Sequence, residues 1–231
     1  MLHKTKGIVL NYIKYRDTSV IVRVYTQSFG VQSYIINSIR SRASKKSLAL
    51  LQPLTLLDLV VYFNKSKAGG INRLSEYRSA LPFKSIPFDI RKSTIALFIS
   101  EWLSKILNEE ENDNNHPGQF DFIFHSIEQL DHLQTSFENF HLQMMIKLSP
   151  FIGFGEITTS SLLLHTSSIE VEKQTAEQAL ILGSRSYEQP FETNHLERNK
   201  ILDVLIDYYQ QHIDGMGEIK SAAVLRDVFR V

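Results

Sequence analysis

Apolar and polar residues change rhythm once along this chain, in the stretch bracketed by Pro82 and Pro87. Before it the period is two. In TKGIVLNYIKY, Ile8, Leu10 and Tyr12 alternate with Val9, Asn11 and Ile13; in TSVIVRVYT, Val20, Val22 and Val24 alternate with Ile21, Arg23 and Tyr25. That alternation marks strands with one face turned inward. Tyr15 to Thr18 is a connection of hairpin length. Phe29-Gly30 breaks the second strand, and VQSYIINSI resumes with β-branched residues. PLTLLDLVVYF and INRLSEYRSA complete the set, with a turn from Lys65 to Gly70 between them. Five short strands in eighty residues predict a small barrel of OB type.

From Ile90 the period becomes helical. Ile95, Phe98, Trp102 and Ile106 form one stripe, with Ile99 and Leu103 beside it. A second helix is expected from Phe120 to Leu133, a third from Phe137 to Phe151 ended by Gly153 and Gly155, and a fourth from Glu197 to Ile213. Ile219 to Phe229 makes a last short one. Residues 156–194 carry no clear period, apart from a short helical pattern over Thr175 to Leu182. The expected fold class is therefore α+β and multidomain. Residues 1–80 form a five-stranded OB-type barrel and residues 81–155 a helical domain. Residues 156–194 are an irregular insertion, and residues 195–231 are terminal helices packing on the helical domain.

Charge sharpens this division. The 231 residues sum to a net charge of zero, but residues 1–80 hold thirteen Lys/Arg against three acids. An excess of ten positive charges in a small sheet domain points to a polyanion as its partner. The chain has no cysteine. Disulfides, thiol nucleophiles, iron–sulfur clusters and thiolate zinc are thereby excluded. The opening MLHKTKGIVL has no apolar stretch of signal-peptide type, and no run approaches the length of a membrane helix, so a cytoplasmic protein is expected.

Four cations in the seven residues from Arg40 to Lys46 suit phosphate contact, since Lys and Arg neutralise phosphates and release counterions. The expected phosphate contacts are Arg40, Arg42, Lys45 and Lys46 first, then Lys14, Arg16, Lys6 and Arg73. Six of the nine tyrosines lie in the same region. Rings interleaved with cations make a platform for single strands, and Tyr15 and Tyr34 are the candidates for stacking; ordinary strand residues are the alternative. In the middle helices Phe98, Trp102, Lys105, Phe124 and Lys147 are candidates for a groove that takes an apolar, acidic peptide, with simple packing as the alternative. Phe122 and Phe124 flank the stripe at Ile123, so they cannot all point inward together.

Catalytic motifs do not emerge. Gly153-Phe154-Gly155 and Gly215-Met216-Gly217 lack the further glycine of a dinucleotide fingerprint, and there is no Walker A run, no G-x-S-x-G and no H-E-x-x-H. His125, Glu128 and His132 share a helix face, but the two histidines are two turns apart, poor spacing for one ion. The acidic run Glu109 to Asp113 lacks the spacing of a calcium loop. Neither enzyme chemistry, cofactor nor metal is expected. A metal-dependent phosphoesterase and a generic OB adaptor for RNA or protein stay open as alternatives.

Several segments, in order, resemble the RecO recombination mediators. They are Thr5-Lys6-Gly7-Ile8-Val9-Leu10, Tyr15-Arg16-Asp17-Thr18-Ser19, Tyr25-Thr26 before Gly30, and Arg40 to Ser47 leading into Leu51-Gln52-Pro53-Leu54. Further on come Phe140 to Leu148 with Gly153-Phe154, Arg198 through Gly215, Ile219-Lys220-Ser221 and Val224-Leu225. The resemblance implies an N-terminal OB domain, a helical domain and a mediator role in RecF-pathway repair. It implies binding of single- and double-stranded DNA, annealing of complementary strands, and nucleoid association in a bacterial cytoplasm. Its implied partners are RecR, the acidic C-terminal tail of single-stranded-DNA-binding protein and, indirectly, RecA. Many members of that family carry a four-cysteine zinc module after the third helix. This chain departs there, having no cysteine in residues 156–194.

Overall fold

The structure, a computed structural model, describes residues 2–37, 48–63, 70–107, 117–165 and 172–230. Five strands come first: β1 Leu2–Tyr15, β2 Ser19–Thr26, β3 Gly30–Ile36, β4 Leu56–Tyr62 and β5 Asn72–Ser79. They close into a barrel in the order β1-β2-β3-β5-β4, antiparallel except where β3 meets β5. The barrel anticipated from the strand count is therefore present, and helices follow it.

The interior is aliphatic. Val9, Val20, Val22, Val24, Leu57, Leu59, Val61 and Leu74 form one buried cluster with Tyr34. Each such side chain, fully buried, contributes about 1.5–3 kcal/mol. Gly7 lies on this inner face. A Cβ there would stand 2.5 Å from Leu59 Cδ1 and 2.6 Å from Val24 Cγ1, so the interior would have to repack around any side chain.

The alternation in β1 does not run unbroken. Val9 pairs with Val24 but Asn11 pairs with Arg23, so Leu10 is an extra residue, a β-bulge. One extra residue reverses which face every later side chain takes. Val9 and Tyr12 thus share the inner cluster, whereas Asn11 and Ile13 face out. The Leu10 carbonyl, thrown off the ladder, accepts the hydroxyl of Ser100. A second bulge in β5 leaves Ser75 unpaired between Leu74 and Glu76.

Seven helices follow among the described residues: α1 Ile90–Ile106, α2 Gln119–His132, α3 Phe140–Leu148, α4 Thr159–His165, α5 Lys173–Ser184, α6 His195–His212 and α7 Ser221–Val228. The third predicted helix is flanked by 3-10 turns, Phe137–Asn139 and Ser149–Ile152; it stops at Gly153, whose φ of 86° suits a residue without Cβ. A capping box opens α6, in which Asn194 and Glu197 satisfy each other's backbone N–H at 3.0 Å. The stretch without clear period contains α4 and α5.

The chain forms two compact units. One comprises Met1–Phe83 with Ile99–Asn115, the other Lys84–Phe98 with His116–Val231. In the first, residues 99–106 of α1 lie over β1 and β2. Arg23 Nη1 donates to the Ser104 carbonyl at 2.9 Å and Asn11 to the Ser104 hydroxyl at 3.2 Å. Ile8, Leu10 and Tyr25, outside the inner cluster, are buried as well. In the second unit Asp131, at the end of α2, gathers the backbone N–H groups of Lys84, Ser85 and Ile86 at 2.8, 2.8 and 2.9 Å.

Candidate nucleic-acid interface

Residues Arg40, Arg42, Lys45 and Lys46 lie outside the described residues. The described residue that leads into their loop, Asn37, accepts the Ser19 hydroxyl at 3.0 Å. Ser19 in turn pairs with Tyr15 at the mouth of the β1–β2 hairpin. The chain therefore leaves β3 beside the hairpin that carries Lys14, Tyr15 and Arg16. Arg16 adopts a left-handed φ of 52°, which costs a non-glycine residue about 1–2 kcal/mol. Its guanidinium carbon stands 5.2 Å from the centre of the Tyr15 ring. Cation and aromatic face already lie together, as stacking on a charged strand requires.

Arg73 is exposed on β5, paired with Ile35 of β3. Lys6 sits elsewhere. It lies eight residues before Lys14 on β1, roughly 26 Å at the usual rise. It pairs with Asp58 of β4, which holds Arg78 at 3.1 Å. Lys4, Lys6, Asp58, Glu76 and Arg78 line one depression of about 490 Å³. Its charges are mixed, so it is a weaker phosphate site than the hairpin. Of the described barrel cations, Lys14 and Arg16 lie at the hairpin, Lys4, Lys6 and Arg78 line the depression across β1, β4 and β5, and Arg73 stands apart on β5 beside β3. Arg23 is engaged with the Ser104 carbonyl.

Tyr34 is corrected by the structure. It is fully buried inside the barrel, because β3 turns it inward opposite Val22. No base can reach its ring. Its hydroxyl has no hydrogen-bond partner among the described residues, and burial pushes its pKa up. We expect Tyr34→Phe to leave nucleic-acid affinity unchanged. It should leave stability equal or higher by up to about 1 kcal/mol, since it removes an unsatisfied buried group. Urea melts and anisotropy titrations on one preparation check both.

The peptide groove also differs from its sequence outline. Phe98 and Trp102 are completely buried, so both are core side chains. Trp102 and Lys105 belong to the barrel unit, and Phe98, Phe124 and Lys147 to the helical unit. Phe124 is half-buried and leans on Phe120, ring centres 5.9 Å apart. Lys147 does line a depression, of about 370 Å³, with Phe122, Ser126, Gln129, Tyr187 and Glu188. Phe122 stacks on Phe151 at 4.9 Å, and Tyr187 lies against Phe140 at 4.4 Å with its hydroxyl 3.0 Å from that of Ser126. The Lys147 ammonium stands 5.8 Å from the Tyr187 ring, and burial lowers its pKa. A partly desolvated cation among aromatic walls favours an acidic group carried on an apolar side chain. Phe122 had a signal in the sequence, the crowding around Ile123. Tyr187 had none, because it comes from the stretch without period.

The family sequence profile described as Recombination protein O N terminal matches residues 1–83. Its companion, Recombination protein O C terminal, matches residues 87–221. The chain belongs to the RecO family. Proteins named DNA repair protein RecO are similar over nearly the whole length. Those of Bacteroides fragilis and Phocaeicola vulgatus are 35% and 33% identical, each over 99% of this chain and 100% of the relative. That of Flavobacterium johnsoniae is 33% identical over 98% of both. The barrel falls within the N-terminal RecO match. The groove around Lys147 falls within the C-terminal one, as does Asp131, whose amide partners at residues 84–86 lie between the two matches. Among the described residues no helix is long and apolar enough to cross a membrane, and no three His, Asp or Glu side chains gather as for a metal ion.

Proposed function

We propose that this RecO-family chain is a DNA-binding recombination mediator that works by mass action, without bond chemistry. The barrel holds DNA through the loop from Arg40 to Lys46 and through Lys14, Tyr15, Arg16 and Arg73. The helical unit holds the acidic tail of single-stranded-DNA-binding protein in the groove of Phe122, Lys147 and Tyr187. Holding both raises the local concentration of complementary strands, and of recombinase where RecR joins the assembly. The observation that carries this reading is the surplus of ten positive charges in residues 1–80, whose described strands close into a barrel. The names of the relatives, DNA repair protein RecO, support it.

The testing experiment is annealing of complementary oligonucleotides coated with single-stranded-DNA-binding protein, with and without its C-terminal tail. Annealing that depends on the tail is expected; equal rates with and without it would count against the groove. A charge-reversed variant at Arg40, Arg42, Lys45 and Lys46 should stay folded and lose DNA affinity. Four lost phosphate contacts flatten the log–log salt dependence on single strands by about 3. An unchanged slope would remove the loop from the interface. Competition by RNA as strong as that by single-stranded DNA would favour the adaptor alternative.

A further inference from the structure

The bulge at Leu10 has a consequence on the outside of the barrel. Past it, Ile13 of β1 turns outward and pairs with Ile21 of β2, and Ile21 pairs with Ile35 of β3. Ile35 pairs with Arg73 of β5. These four outward residues make one row across four adjacent strands, three isoleucines ended by a cation. Ile13 is 59% exposed, unusual for a large aliphatic side chain on a strand, and Ile21 and Ile35 are partly exposed. Neighbouring strands lie about 4.8 Å apart, so the isoleucines cover an apolar strip about 10 Å long on the outside of the barrel. The next outward position along β1 toward the hairpin is Tyr15, with Arg16 over its ring. Asp17, also in the hairpin, is the nearest acid in sequence.

The strip lines neither of the depressions described above, so it does not suit an acidic peptide needing a pocket; nor does it suit a duplex, which offers phosphates but keeps its base faces stacked inside. It suits a strand whose bases are unstacked and whose backbone is negative. We propose that Ile13, Ile21 and Ile35 are the base-contacting platform of this barrel, that Arg16 and Arg73 hold the phosphates at its two ends, and that the platform selects single strands over duplex. This rests on the nucleic-acid reading of the barrel and specifies which surface, and which form of DNA, it takes.

Anisotropy titrations of the full chain with labelled oligo(dT) and with a duplex of equal length test it. The Ile13→Thr/Ile35→Thr variant keeps β-branched residues on the strands. It is expected to bind oligo(dT) about tenfold more weakly, with duplex affinity within twofold and the oligo(dT) salt slope unchanged. In Ile13→Trp, a ring on the same position should tighten oligo(dT) binding about threefold. Equal losses on both DNA forms, or unchanged oligo(dT) binding in both variants, would overturn the platform while leaving the barrel a DNA binder. A wild type that binds neither DNA would overturn the underlying reading as well. A wild-type dimer that becomes monomeric in the double variant would assign the strip to a second copy of the chain, and overturn the proposal.

Discussion

Replacing Asp131 by alanine is expected to cost the helical unit about 3 kcal/mol, because three successive backbone amides lose a charged acceptor together. Asp131 is 2% exposed and so is Lys92. The carboxylate accepts the three successive amides of Lys84, Ser85 and Ile86. Lys92 donates to the Ser85 hydroxyl at 2.6 Å, to the Asp131 carbonyl at 3.2 Å and to the Leu133 carbonyl. The ammonium thus satisfies carbonyls that the end of α2 leaves open, where a positive charge is also favoured by the helix dipole. Without the carboxylate, three amides, that of Ile86 buried, lose their acceptor and the buried Lys92 loses a nearby counter-charge. Asp131→Asn, which keeps one oxygen, should lose less. Lys92→Met should cost less in the Asp131→Ala background than in the wild type, because the lysine is then uncompensated. Urea denaturation followed by far-ultraviolet circular dichroism measures all four, and additive losses would show that the two groups act separately.

Burial alone would raise the Asp131 pKa, but the amides of Ile86, Lys84 and Ser85 and the Ser85 hydroxyl outweigh it and hold the carboxyl below its usual value. A carboxyl depressed in the folded state contributes stability above its unfolded pKa, about 3.9, and loses it as the pH falls further. The Asp131 contribution is therefore intact at pH 5 and disappears only in stronger acid.

A loss of about 2 kcal/mol is expected between pH 7 and pH 5, and its source is His141. This histidine lies on α3, 3% exposed, edge-on to Phe98 with ring centres 5.7 Å apart. Burial, and secondarily the charge of Arg198, lower its pKa to about 3. Its Nδ1 has no hydrogen-bond partner among the described residues. An unfolded histidine titrates near 6.5, so between about pH 6.5 and pH 3 the unfolded chain binds a proton that the folded chain refuses. Stability falls with pH across that window. His141→Phe keeps a ring against Phe98 and cannot titrate; its stability should vary by less than about 0.5 kcal/mol over the same two pH units. If the variant lost as much as the wild type, the acid-sensitive group would lie elsewhere.

Much of this was legible in the residues themselves. The period of two over residues 5–26 and the helical stripe through Ile95, Phe98 and Trp102 report local geometry, which neighbouring residues dictate. The third helix ended at Gly153 for the same reason. The face each side chain takes was less legible. A single bulged residue at Leu10 gives no compositional sign, yet it turned Tyr12 inward and Ile13 outward. Tyr34 read as a candidate stacking ring because tyrosine suits either side of a sheet; its register opposite Val22 buried it.

The chain's own order of residues settles the five strands, the helices after them, the surplus of cations on the first eighty positions and the membership in the RecO family. Folding in three dimensions decides what distant positions do together. It sets Ile13, Ile21, Ile35 and Arg73 side by side, brings Asp131 to amides more than forty residues earlier, and sets Tyr187 beside Lys147. Periodicity acts over a few residues, whereas these pairings depend on register and on packing between elements far apart in the chain.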